Sequence, residues 1–335
     1  MFGVLTWIKQ AFPYSSAAQV QACDERLDGR DMLRSLQEIA RASLEIQQVE
    51  RQILGVMSQQ LSSLDVWMNA LQQSQLETCV RTLLDGNPRY ADPRRLQRHE
   101  HKGFSQDGED GILQEIFRRI KTTNRHFVEF GVEQGTQSNT ANLLLQGWAG
   151  LWIEYNRQDV EAIEKGLPSL LASQRLRVLC EKVNAENIEA LFALAAVPAE
   201  PDLISIDIDG NDFWVWRALR LYQPRVVVLE YNPYFPPPTD WVMPYDPDHC
   251  WNGSMRFGAS LEALERLGRS KGYCLVGCSL GGVNSFFVRQ DLVGDHFAAP
   301  FTAENHYEPL RKYLLWRNCT PPRTHDLLDV PHAAA

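Results

Sequence analysis

No apolar run in this chain approaches the ~20 residues a bilayer-spanning helix requires, so no transmembrane segment is expected. Cysteine is sparse and unpatterned. Cys23, Cys79, Cys180, Cys250, Cys274, Cys278 and Cys319 are odd in number, widely scattered, and form no C-x-x-C pair. That argues against a disulfide framework and for reduced thiols in a cytosolic protein, with Cys274 and Cys278 as packing residues around a short strand. Positive charge is also short: 33 Lys and Arg against 42 Asp and Glu leave a net charge of −9. That argues against a broad nucleic-acid face, which needs a basic surface, and leaves room only for a local basic patch. The opening MFGVLTWIKQAF is too short and too quickly polar for a signal peptide. A docked or frayed terminus is the expected reading of that stretch, and a small amphipathic anchor, peripheral to the inner membrane face, is the other. Hydrophobic residues at 44% and charged residues at 22% of 335 are ordinary for a globular chain with one large domain and a smaller element.

The smaller element is N-terminal, over residues 1–95. From about Asp31 to Leu84 there is no proline and one glycine, Gly55. Met32, Leu36, Ile39, Ile46, Val49, Ile53, Val56, Leu64, Met68 and Leu71 recur at gaps of mostly three, four and their sums, which predicts a helix with one narrow apolar stripe. A stripe so narrow on so long a helix suggests pairing with another helix, as a coiled coil between subunits or a hairpin within the chain. The run Asp85-Gly86-Asn87-Pro88 ends it, and a basic connector follows.

Residues 96–300 alternate strand and helix, which predicts a doubly wound, mostly parallel α/β sheet of seven strands. The expected strands are 127–130, 150–153, 176–180, 202–206 and 225–229, then a hairpin pair near 273–276 and 285–288 around Gly281-Gly282. Residues 301–335 form a tail without a strong period. The first strand sits in HFVEFGVEQGT, where Gly131 and Gly135 turn the chain into an apolar helix. A dinucleotide cradle wants Gly-x-Gly-x-x-Gly, so that backbone can approach a pyrophosphate. Here Val132-Glu133-Gln134 fill the gap, and Glu129 and Glu133 would repel phosphate. A ligand with a ribose and a cationic centre but no phosphate suits this loop, a description that fits S-adenosylmethionine (SAM). Glu154, 23 positions after Gly131, stands near the ~20 expected for the acid that accepts both ribose hydroxyls. Val183 and Asn184 fall where an adenine would be covered and read, and Gln106 and Asp107 could reach the ligand over the sheet edge, although a helix cap explains Asp107 to Asp110 equally well.

Asp207 and Asp209 share one direction if the strand continues that far, and Glu230 and Asn232 repeat the spacing on the next strand end. Such an oxygen set suits Mg²⁺ or another hard divalent cation, which would lower the pKa of a substrate hydroxyl; the rival reading of Asp209 to Asp212 is a turn and helix cap. The 27-residue loop from Tyr231 to Phe257 is long enough to be a lid, and its aromatics and polar side chains suit a sugar ring or a protein interface. His249 is its only histidine and the candidate general base, with Asp207 beside it as the other catalytic candidate.

FSQDGEDGIL, FVEFGVEQGTQSNT, GLWIEYN, ISIDIDGNDFWVW and VVVLEYNP together resemble the FkbM-type SAM-dependent methyltransferases over roughly residues 103 to 290. The resemblance implies a class I methyltransferase fold and O-methyl transfer, commonly to sugars, hence a carbohydrate or small-molecule acceptor. The chain departs from the pattern in carrying Asp-x-Asp-Gly-Asn-Asp after the fourth strand. A scaffold that has lost activity and an NAD-dependent sugar-modifying enzyme are the alternatives the same residues leave open.

Overall fold

A computed structural model describes residues 29–311 together with 314, 325, 328 and 329. The opening stretch considered above as an anchor, and most of the tail beyond 311, lie outside the described residues. The chain divides into two compact units, 1–70 and 71–335.

Helix α1 (Gly29–Gly86) is one uninterrupted helix of 58 residues, so within the described residues the hairpin alternative does not hold. Its side chains from Gln37 to Gln75 lie exposed, whereas Leu76, Val80, Leu83 and Leu84 pack around buried Tyr90, Leu280 and Leu314. The second unit continues with α2 (Glu109–Ile120), β1 (His126–Phe130), α3 (Ala141–Leu145), β2 (Ala149–Glu154), α4 (Arg157–Gly166), α5 (Pro168–Ala172), β3 (Leu176–Cys180), α6 (Ile188–Leu194), β4 (Leu203–Ile206), α7 (Asp212–Ala218), β5 (Val226–Glu230), α8 (Leu261–Ser270), β6 (Tyr273–Cys278) and β7 (Asn284–Arg289).

These strands form one sheet in the order β3-β2-β1-β4-β5-β7-β6. The first five are parallel and β7 runs antiparallel to both neighbours. This is the seven-stranded plan expected from the sequence. Its central strands are buried on both faces, which is why they read as continuous apolar runs. Successive side chains alternate between two cores. Val128, Phe130, Ile204, Ile206, Val227 and Leu229 join one with α6, α7 and α8. Phe127, Trp152, Leu203, Val226 and Val228 join the other with α2 and α3.

The amino ends of the strands are tied by one buried ion pair. Asp202, fully buried, accepts from Arg225 Nη1 at 2.7 Å, from the Thr123 hydroxyl at 2.9 Å, and from the backbone N–H groups of Thr123, Asn124 and Arg125. Burial pushes the Asp202 carboxyl up, but Arg225 and these donors outweigh it and hold it below the usual range. Removing one member strands the other in the interior. Asp202→Ala is therefore expected to cost about 3–5 kcal/mol, read as a lower urea midpoint at unchanged slope.

β1 and β4 are neighbours, yet the chain leaves them in opposite directions, toward β2 and toward β5. Open α/β sheets bind their ligands at the carboxyl ends of the strands where such a reversal occurs.

Candidate active-site cleft

A cleft of about 640 Å³ lies at that reversal, within the range of small-molecule sites. The two glycines of the β1 turn make it by close packing. At Gly131 (φ +68°) a Cβ would fall 1.9 Å from the Asp207 carbonyl oxygen, and at Gly135 (φ +74°) 2.3 Å from the Trp152 ring. Any side chain would pry the ends of β1 and β4 apart or unseat Trp152. Between them Glu133 takes a left-handed conformation (φ +49°) without being glycine, and so does Asp209 (φ +56°) across the cleft. Such strain persists where the surroundings over-determine it, and it clusters at functional sites.

Glu154, at the end of β2, is 3% exposed and lines the cleft. Its carboxylate organises the turn: Oε2 accepts from the Glu133 N–H at 2.9 Å and Oε1 from the Asn156 N–H at 2.8 Å. Each oxygen keeps a lone pair, so the side-by-side acceptor pair expected for a diol is preserved. Gln106, Gly131, Val183, Asp207, Asp209, Glu230 and His249 also reach the cleft.

Four other expected contacts do not line it. The side chain of Glu129 lies on the opposite side of β1 from Phe130, as strand alternation dictates. There it accepts from the Asn139 and Thr140 N–H groups at 2.8 and 3.0 Å and from the Thr140 hydroxyl at 2.5 Å. Gly135 is spent on Trp152. Asn184 accepts from the N–H groups of Glu186 and Asn187 at 3.1 and 2.9 Å, a local turn. Asn232 is fully buried, donates to the Met255 and Phe257 carbonyls and accepts from the Tyr234 N–H, which pins both ends of the long loop.

Ligand atoms of Asp207, Asp209 and Glu230 all lie within 4.8 Å of one another. Burial, then Asp212 and Asp209, pushes the Asp207 carboxyl well above the ordinary range. Burial, then Asp207, does the same to Glu230. Burial also raises Asp209. Three carboxylates so close favour a shared proton or a cation. The cap reading of the same segment is correct for Asp212 alone, whose oxygens accept from the Ile208 and Gly210 N–H groups at 3.0 Å each.

The loop from Tyr231 to Phe257 closes over one side. Asn211 donates to the Asp246 carbonyl at 2.7 Å, Trp214 Nε1 donates to the Met243 carbonyl at 2.8 Å, and the Tyr245 hydroxyl donates to Glu186. This seating presses His249 onto Gly210, where an added Cβ would meet its Cδ2 at 2.5 Å. Among the described residues His249 Nε2 is buried with no hydrogen-bond partner. Sequence reasoning passed over Tyr155, 66% exposed at the cleft, where it joins Trp251 of the aromatic loop, 53% exposed. A large aromatic one residue beyond the β2 acid was the available signal for Tyr155.

No protein-family model matches the chain, and no curated protein matches it. Among solved structures, it is similar to a provisionally named O-methyltransferase of Klebsiella pneumoniae at 16% identity, over 65% of this chain and 99% of that one, with a TM-score of 0.38. It is similar to a SAM-dependent methyltransferase of Geobacter sulfurreducens in complex with S-adenosyl-L-homocysteine at 12% identity, over 54% and 70%, with a TM-score of 0.32. A SAM-dependent methyltransferase of Clostridium acetobutylicum aligns at 10% identity, over 56% and 92%, with a TM-score of 0.34. Scores this low carry no weight; the strand order and the cleft are the chain's own.

Proposed function

We propose that this chain is a SAM-dependent O-methyltransferase acting on a sugar hydroxyl of a glycan or glycoconjugate, with a divalent cation in its cleft. The observation that carries the reading is the charge of the cleft at the strand reversal. Among the described residues, seven carboxylates line it, Glu154 at the end of β2 among them, against Lys182 as the one lysine or arginine. A phosphate-bearing dinucleotide is repelled there, whereas a sulfonium with an ammonium group is attracted. SAM, when bound, supplies an electrophilic methyl group.

Under this reading each residue has a definite task. Glu154 accepts the ribose hydroxyls, and Val183 covers the base. The left-handed turn at Glu133 holds the β1 loop close beneath the ligand. Methyl transfer requires the acceptor oxygen in line with the methyl carbon and sulfur while the hydroxyl loses its proton; positioning supplies much of the rate. Tyr155 and Trp251 offer apolar faces to a sugar ring. His249 presents an unpartnered Nε2 for the departing proton. Asp207, Asp209 and Glu230 fit a hard cation by donor type and spacing, and such a cation supplies positive charge that lowers the pKa of the acceptor hydroxyl.

Calorimetric titration tests the cofactor. S-adenosylhomocysteine is expected to bind, and Glu154→Ala to weaken it about 100-fold through two lost hydrogen bonds to a charged acceptor. NAD binding with neither SAM nor S-adenosylhomocysteine binding would overturn the reading. The acceptor is tested by labelled-methyl transfer to glycans extracted from the source cell, where label confined to protein would exclude a sugar.

A further inference from the structure

The apolar stripe of α1 contains more order than its uneven gaps suggest. Met32, Ile39, Ile46 and Ile53 are spaced by seven, with Ser35, Ala42, Val49 and Val56 three residues after each. Leu54, Leu61 and Met68 are also spaced by seven, with Met57, Leu64 and Leu71 three residues after each. Each block is a strict a/d heptad. The second is displaced from the first by one residue, and the change of phase falls at Gly55. From Ile39 to Leu71 every large apolar member of both blocks is exposed, between 44% for Ile39 and 65% for Leu54.

We infer that α1 forms a two-helix coiled coil with a second copy of this chain, its seam built of two heptad blocks that change phase at Gly55. Ile39, Ile46 and Ile53 hold the a positions of the first block, as in two-stranded coiled coils, while leucine stands at d, as Leu64 and Leu71, only in the second block. The eleven exposed seam residues offer roughly 1,000 Å² per protomer, above the ~800 Å² a standard interface needs. A membrane surface is disfavoured by charge, since surface-binding helices carry a Lys/Arg-rich face. Between Arg51 and Glu77 the only charged residue is Asp65. A second copy brings an identical stripe of matching length and phase.

Gly55 makes the inference testable. One extra residue shifts the seam around the helix by about 100°, and the two blocks can face a partner together only if the helix is locally unwound. Glycine is the interior residue that tolerates this best. Among the described residues an added Cβ at Gly55 would meet nothing within 4 Å, so packing among them does not require the glycine. Deleting Gly55 puts Met57, Leu61, Leu64, Met68 and Leu71 in phase with Ile53.

The experiment is sedimentation equilibrium on the full chain. The wild type is expected at twice the chain mass, and the double variant Ile46→Glu, Leu61→Glu at the monomer mass with unchanged tryptophan fluorescence from the buried Trp152 and Trp216. The Gly55 deletion is expected to dissociate at a concentration at least roughly ten-fold lower than the wild type. Gly55→Ala, which improves helix propensity but keeps the phase change, should gain less. A wild-type monomer at the highest soluble concentration, or a deletion variant that dissociates more readily than Gly55→Ala, overturns the proposal.

Discussion

Glu230→Gln is expected to lose methyl transfer by about 100-fold or more while S-adenosylhomocysteine still binds. Glu230 ends β5 and faces Asp207 and Asp209 across the carboxyl ends of β4 and β5, with ligand atoms within 4.8 Å. The amide nearly preserves side-chain size and removes the negative charge. If the trio holds a cation that acidifies the acceptor hydroxyl, several kcal/mol of barrier depend on it, which sets the size of the loss. Glu154 and Val183 are untouched, so cofactor affinity should survive. Exhaustive chelation of the wild type should reproduce the loss, and Mg²⁺ or Mn²⁺ should restore the wild type but not the variant. Full activity after chelation together with an active Glu230→Gln enzyme would remove the cation from the reaction. His249→Ala is expected to lower the rate less, since solvent can accept a proton from an acidified hydroxyl.

The strands were legible because a buried parallel sheet leaves unbroken apolar runs bounded by glycine, asparagine and acid, and each predicted strand lies within two residues of its observed bounds. The acids at strand ends were legible by position: alternation put Asp207 and Asp209 on one side, and the cluster with Glu230 followed. What remained hidden was how the backbone spends side chains on itself. Glu129 has the composition of a ligand residue but sits on the far face, where it satisfies the start of α3. Asn232 repeats the Asp207-x-Asp209 spacing, yet its amide goes to the Met255 and Phe257 carbonyls. Those carbonyls lie more than 20 residues away in the loop, a long-range partnership no local pattern encodes. Position 184 is spent locally instead. Its asparagine caps a local turn, a habit of that side chain wherever it meets free N–H groups.

A cleft this acidic dictates an unusual stability profile. Burial pushes the Glu129 carboxyl up to about 7, against donors on Asn139 and Thr140 that draw it down. Burial carries Asp212 to about 6, and Asp207 and Glu230 lie well above the ordinary range. For each, the folded chain holds a proton that the unfolded chain has already released. Stability from these groups is complete below the usual carboxylate pKa and is lost as pH rises through the folded values. Glu129 alone accounts for roughly 3 kcal/mol. Two histidines act in the opposite direction. Burial, with Arg177 next, lowers His126 to about 4, and burial, with Arg95 next, lowers His306 to about 3. Both are neutral in the folded chain, so they cost stability only as pH falls below 6.5, where the unfolded chain takes up protons first. Above about pH 5 the four raised carboxyls outnumber the two histidines, so cation-free protein is expected to lose stability as pH rises from there, and above about pH 6.5 the carboxylates act alone. Scanning calorimetry with a chelator present should show that alkaline fall. Asp207→Asn should flatten it by removing one member of the repelling cluster. A divalent cation should raise the melting temperature more at pH 8 than at pH 6, because it replaces protons in the folded state alone. A melting temperature that climbs steadily from pH 6 to 8 without cation would mean that these carboxylates are ionised and solvated, and that the cluster is an exposed acidic rim.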